Sequence, residues 1–169
     1  MYAPASAKPG SNLPVKVWAY GGGNQGGALS MPLYDGCNSA DDAILVSFNY
    51  RLGPLGFMAL EDAGIEGNMA IKDYVKALEW VQANIASFGG DASQVLLFGQ
   101  SAGGSDSFVL STIPQAKSLM KSASLQSGGG QDLVKRDRAD ALGASYAETL
   151  GCSRSDVMFG TLSFDCFCN

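Results

Sequence analysis

The 169-residue chain contains no histidine. That removes the side chain most often used as a general base near neutral pH. It also removes mixed Cys/His zinc sites, and the C-x-C of Cys166 and Cys168 lacks the usual zinc spacing, so neither a metal nor a cofactor is expected. Charge is scarce: 16 % of residues, sixteen acids against eleven bases, for a net charge of −5. A nucleic-acid binder usually shows a basic patch, and this chain has none. Its one short basic cluster, Lys135-Arg136-Asp137-Arg138, carries its own acid and reads as a solvated helix start. No apolar run approaches the ~18 residues that mark a membrane-spanning helix. The opening MYAPASAKPGSN lacks the apolar centre of a signal peptide, and no Asn-x-Ser/Thr acceptor occurs.

What the chain has is apolar residues at 46 % and 22 glycines, two of the glycine groups being triplets, Gly21–Gly23 and Gly128–Gly130. Triplets of this kind mark tight turns where backbone must approach something closely. The length suits one domain with a sizeable core. Four cysteines, Cys37, Cys152, Cys166 and Cys168, allow three full pairings; they read either as free thiols or as one bridge from Cys152 to Cys166 or Cys168.

Residues 1–14 are rich in Pro, Ser and Gly and read as a lead-in loop. Strands are expected at 15–20 (VKVWAY), 43–49 (AILVSFN), 95–98 (VLLF) and 122–126 (SASLQ). Between the second and third, Asn68 is placed to cap a helix whose Ile71, Val75, Leu78, Val81 and Ile85 share one apolar face, ended by Gly89-Gly90. A further helix follows residue 101 and stops near Pro114. Another spans 134–150, with Leu142, Tyr146 and Leu150 in one row. Strands alternating with helices predict an α/β fold with a mainly parallel sheet and flanking helices. In such sheets sites lie beyond the carboxyl ends of the strands. Two motifs fall there.

The first is Gly99-Gln100-Ser101-Ala102-Gly103, a G-x-S-x-G between an apolar strand and a helix. That setting makes Ser101 a candidate nucleophile, lifted out of the sheet by a turn that tolerates only small neighbours. The second is Tyr20-Gly21-Gly22-Gly23, whose backbone N–H groups, with that of Ala102, could face a developing oxyanion. Asp41, Asp42, Glu79 and Asp106 read as solvated or capping groups.

These stretches resemble the type-B carboxylesterase/lipase family, which includes the cholinesterases. PVKVWAYGGG (14–23), AILVSFNYRLGPLGF (43–57), GNMAIKDYVKALEWVQANIASFGGDASQVLLFGQSAGG (67–104) and LMKSASLQSGG (119–129) follow the family in order and spacing. The resemblance implies an α/β-hydrolase fold and hydrolysis of small-molecule or lipid esters, with Ser101 as nucleophile and Gly22, Gly23 and Ala102 as oxyanion donors. Asp91 matches a structural position. Gln100 stands where many members carry Glu, and Asn24 where an aromatic residue is usual. Leu150-Gly151-Cys152 matches a half-disulfide motif, with Cys166 as the candidate partner. Many members are secreted.

Family members place the triad acid and histidine far downstream of the serine, and further strands ahead of the region matching Met1. The chain is therefore expected to be a single incomplete domain over 1–169, with an atypical tail at 153–169 and no triad acid or base of its own. A lysine base, Lys72 or Lys121, would have to be desolvated to act. The alternative reading is a non-catalytic, cholinesterase-like binding or adhesion module.

Overall fold

The computed structural model describes residues 1–130 and 133–152. Four strands, β1 (Leu13–Ala19), β2 (Ile44–Ser47), β3 (Gly90–Gln100) and β4 (Ser122–Gln126), form a parallel sheet in the order β2-β1-β3-β4. Parallel strands need covered faces, and their sequences show it: Ile44, Leu45 and Val46 are consecutive and all buried. On β1, Val15, Val17 and Ala19 have no exposed surface, while the alternate Lys16 and Trp18 are half-buried. The helices are α1 (Gly53–Phe57), α2 (Met69–Asn84), α3 (Ala102–Thr112), α4 (Pro114–Lys117) and α5 (Arg136–Thr149). The described residues divide into two compact units, residues 1–50 with 71–130, and residues 51–70 with 133–152.

The first unit holds the sheet. The expected face of α2 is the one that packs: Ile71, Leu78, Val81 and Ile85 are buried, joined by Tyr74, while Val75 is half-buried. Each such side chain removed from water contributes about 1.5–3 kcal/mol. After Asn84 the last turn tightens into a 3₁₀ segment, Ile85–Phe88, and Gly89 closes it at φ 90° with its N–H on the Ala86 carbonyl. The next residue starts β3, five positions before the apolar run announces it. Gly90 permits this, since a methyl there would sit 2.6 Å from Ile85 Cγ1 and 2.9 Å from Val15 Cγ2. The lead-in segment is not all loop either: Tyr2 and Leu45 exchange backbone hydrogen bonds of 2.8 and 2.9 Å, which covers part of the β2 edge.

In the second unit, Lys135 precedes α5 as its N-cap and Arg136 opens it. Arg136 reaches Asp140 at 2.6 Å and the Glu66 carbonyl at 3.1 Å, while Asp140 accepts the Glu61 N–H at 3.2 Å. Of the row read along this helix, Leu142 and Tyr146 are exposed. The buried residue of this helix is Gly143, whose missing side chain lets the helix backbone lie against the Ala59 carbonyl.

Cys152 is disulfide-bonded and Cys37 is an exposed free thiol. The expectation that Cys166 pairs with Cys152, and the atypical tail of 153–169, lie outside the described residues.

Candidate active site

The parallel register sets the site. Ala19 pairs with Gly99 across β1 and β3, so the residues that follow each strand emerge side by side at the carboxyl edge of the sheet. After β1 those residues are Tyr20 and the glycine triplet; after β3, which ends at Gln100, the first is Ser101. The contact is close: a methyl added at Gly21 would lie 2.7 Å from the Gln100 carbonyl oxygen and 2.9 Å from Ser101 Cβ.

Ser101 itself holds φ 55° and ψ −124°, between β3 and the first turn of α3. A non-glycine residue there stores roughly 1–3 kcal/mol of backbone strain, maintained only where the surroundings enforce it. Here they do. The Ser101 N–H donates to the Gln126 carbonyl of β4 at 2.8 Å, and its carbonyl accepts the Ser105 N–H at 2.9 Å. Small residues make room for the turn: a methyl at Gly99 would collide with Gly103, and one at Gly103 with the Ala19 and Tyr20 carbonyls. A methyl at Gly104 would reach 2.9 Å from the Gln126 carbonyl, and one at Gly128 would overlap the Ser101 carbonyl. The second glycine triplet thus braces the turn from behind. Among the described residues the Ser101 hydroxyl has no hydrogen-bond partner.

Ala102 is the first residue of α3, so its N–H points out of the helix with no carbonyl one turn earlier. That end also carries the positive pole of the helix. Gly22 and Gly23 are exposed and hold φ 122° and 61°, conformations that favour glycine. The Gly22 carbonyl accepts the N–H groups of Gln25 and Gly26 at 3.1 and 3.2 Å, which closes the loop. The N–H groups of Gly22 and Gly23 themselves have no acceptor among the described residues.

Beneath this loop lies an aromatic and acidic cluster that sequence reasoning missed. Tyr20 stacks on Tyr50 with centroids 4.6 Å apart, Tyr50 meets Tyr74 at a 50° tilt with centroids 4.8 Å apart, and Phe48 meets Tyr74 edge-on at 4.8 Å. The Tyr50 hydroxyl donates to the Tyr20 carbonyl at 2.7 Å. The Tyr74 hydroxyl donates to Asp106 Oδ2 at 3.1 Å, and Asn24 Nδ2 donates to Asp106 Oδ1 at 3.1 Å. Asp106, expected to be solvated or capping, is 4 % exposed. Its immediate neighbours, Ser105 and Ser107, are small and polar, so no apolar period betrays the burial; the donors on Tyr74 and Asn24 converge on it only in the fold. Asp42 and Glu79, by contrast, are exposed partners of Lys16 and Lys76.

Burial pushes both the Tyr50 and the Tyr74 phenols well above the ordinary value of 10.0, with the nearby Asp106 charge adding to it in each. The folded chain therefore holds these two protons more tightly than the unfolded chain. The stability they contribute is complete below pH 10 and declines above it, as the unfolded state begins to release protons that the folded state keeps. Thermal melts between pH 8 and 11.5 should show a midpoint that falls only above about pH 10. A flat midpoint across that range would contradict the burial of these hydroxyls.

Neither candidate lysine fits a base. Lys72 is exposed on α2. Lys121 is exposed and donates its backbone N–H to Val95, at the opposite end of the strands from Ser101. About six residues of strand at ~3.3 Å each separate those two ends.

The carboxylesterase family matches residues 1–167. The chain is 40 % identical over 153 residues to the para-nitrobenzyl esterase of Bacillus subtilis, covering 88 % of this chain and 31 % of that protein. It is 41 % identical over 160 residues to a pyrethroid hydrolase of Mus musculus, covering 92 % of this chain and 28 % of that one. A thermophilic PNB esterase of known structure superposes with a TM-score of 0.86 at 39 % identity, over 96 % of this chain and 34 % of the other. The chain thus spans about a third of the length of these relatives. With a parallel sheet, flanking helices and matches of this extent, the chain is an α/β-hydrolase-type protein that belongs to the carboxylesterase family.

Proposed function

We propose that the chain carries the nucleophile and oxyanion hole of a carboxylic ester hydrolase working by acyl transfer. The observation that supports this most is the strained, glycine-enclosed turn at Ser101 lying against the glycine loop. The Ser101 Oγ attacks the ester carbonyl carbon and gives its proton to a base. The carbonyl oxygen becomes an oxyanion and accepts hydrogen bonds from the N–H groups of Gly22, Gly23 and Ala102. The C–O bond to the alcohol then breaks, the alcohol leaves with a proton, and water releases the acid from Ser101. The relatives' printed names, a para-nitrobenzyl esterase and a pyrethroid hydrolase, support an ester as the substrate class.

The base is not a histidine of these 169 residues. For the isolated chain an added imidazole can stand in. The test is covalent capture of a fluorophosphonate in 2-methylimidazole, followed by peptide mass mapping. Modification confined to Ser101 is expected. Modification spread over several serines and tyrosines, with none favoured, overturns the proposal.

A further inference from the structure

The glycine loop is pinned at both ends from below. At its start the Tyr20 carbonyl accepts the Tyr50 hydroxyl at 2.7 Å. At its far end Asn24, held at φ 59°, donates its side-chain N–H to Asp106 Oδ1 at 3.1 Å. The two anchors meet through Tyr74, whose ring packs at a tilt against Tyr50 and whose hydroxyl donates to the other Asp106 oxygen. Gly22 and Gly23 lie between the pins. Asp106 belongs to α3, the same helix whose first residue is Ala102. The side-chain bond from Asn24 to Asp106 therefore ties the loop bearing two oxyanion donors to the helix bearing the third.

We infer that Asn24 and Asp106 are positioning residues for oxyanion binding: their hydrogen bond fixes where the Gly22 and Gly23 N–H groups stand relative to that of Ala102. This rests on the proposed acyl-transfer reading. The three donors come from two separate chain segments, and misplacing donors by about 1 Å can cost on the order of 100-fold in rate. A buried carboxylate in this place also needs its donors: removing either weakens the hydrogen bonding of a charge held in low dielectric. Asn24 Oδ1 is buried without a partner, so the side chain has an unused acceptor. That atom supplies a control. In Asp106→Asn the new carboxamide can accept from Tyr74 and donate to Asn24 Oδ1, keeping the tie without the charge.

The clean disruption is Asn24→Gly, since glycine adopts φ 59° without strain and removes only the side chain. Two readouts are taken on the 169-residue protein: the rate of fluorophosphonate capture at Ser101 in 2-methylimidazole, and the ¹⁵N relaxation of the Gly22 and Gly23 amides. Asn24→Gly is expected to slow capture by about 10–100-fold and to loosen both amides. Asp106→Asn is expected to stay within about threefold of wild type with the amides unchanged. If Asn24→Gly captures the probe at the wild-type rate with rigid glycine amides, the inference is overturned. It is equally overturned if Asp106→Asn loosens the loop as much as Asn24→Gly does. Should wild type fail to capture the probe at all, the acyl-transfer reading fails, and the amide relaxation still decides whether the tie holds the loop.

Discussion

Replacing Ser101 with alanine is expected to remove all fluorophosphonate capture at the turn, while the wild-type chain reacts in proportion to the 2-methylimidazole supplied. Turnover is the weaker readout. In a comparable hydrolase, subtilisin, losing the serine or the histidine alone costs about two million-fold in kcat, nearly as much as losing the whole triad, because those residues act as a unit. A chain without histidine has already lost most of that, so the serine's presence barely shows in hydrolysis. Covalent capture isolates the one step in which Ser101 forms a bond. What remains without the base, roughly a thousand-fold over water from donors and binding, should make Ser101 react far ahead of any exposed serine. Intact-mass time courses of wild type and Ser101→Ala check this. Equal labelling of the two proteins would show that the turn confers no reactivity.

The second large effect concerns stability. Gly103→Val is expected to cost more than about 4 kcal/mol, or to yield no folded protein. A Cβ at this position would overlap the Ala19 carbonyl and lie 2.6 Å from that of Tyr20, with backbone on both sides and nothing flexible to yield. Helix α3 would have to lift from the end of β1, opening the turn at Ser101 and the glycine loop together. Gly23→Ala is the comparison. A Cβ there meets nothing within 4 Å, and only its φ of 61° resists, at about 1–2 kcal/mol. Urea titrations should separate the two by several kcal/mol. Similar losses for both would mean that backbone contact between α3 and β1 is not what holds the turn.

Much of the framework could be read from the residues. SASLQ at 122–126 is β4 to the residue. The face of α2 followed its 3.6-residue period. The placement of Ser101 and the glycine loop followed from one rule, that sites in parallel sheets lie past the carboxyl ends of strands. What escaped is what depends on partners distant in sequence. Asp106 looked solvated because its immediate neighbours, Ser105 and Ser107, are small and polar; its burial is made possible by Tyr74 and Asn24, 32 and 82 positions away. The polar start of β3 follows from pairing of Leu13 with Gly90, which no hydrophobic period records. On α5 the row of Leu142 and Tyr146 marked the helix but not its packing, which runs through Gly143, a position without a side chain.

The central claim is that the Ser101 oxygen and the N–H groups of Gly22, Gly23 and Ala102 surround one point. A crystal structure of the phosphonate adduct tests this most directly, since the phosphoryl oxygen stands in for the oxyanion of the tetrahedral intermediate. The account predicts that oxygen at about 2.7–3.1 Å from all three amide nitrogens. A phosphonate whose oxygen faces solvent, with Gly22 and Gly23 turned away from it, would contradict the account.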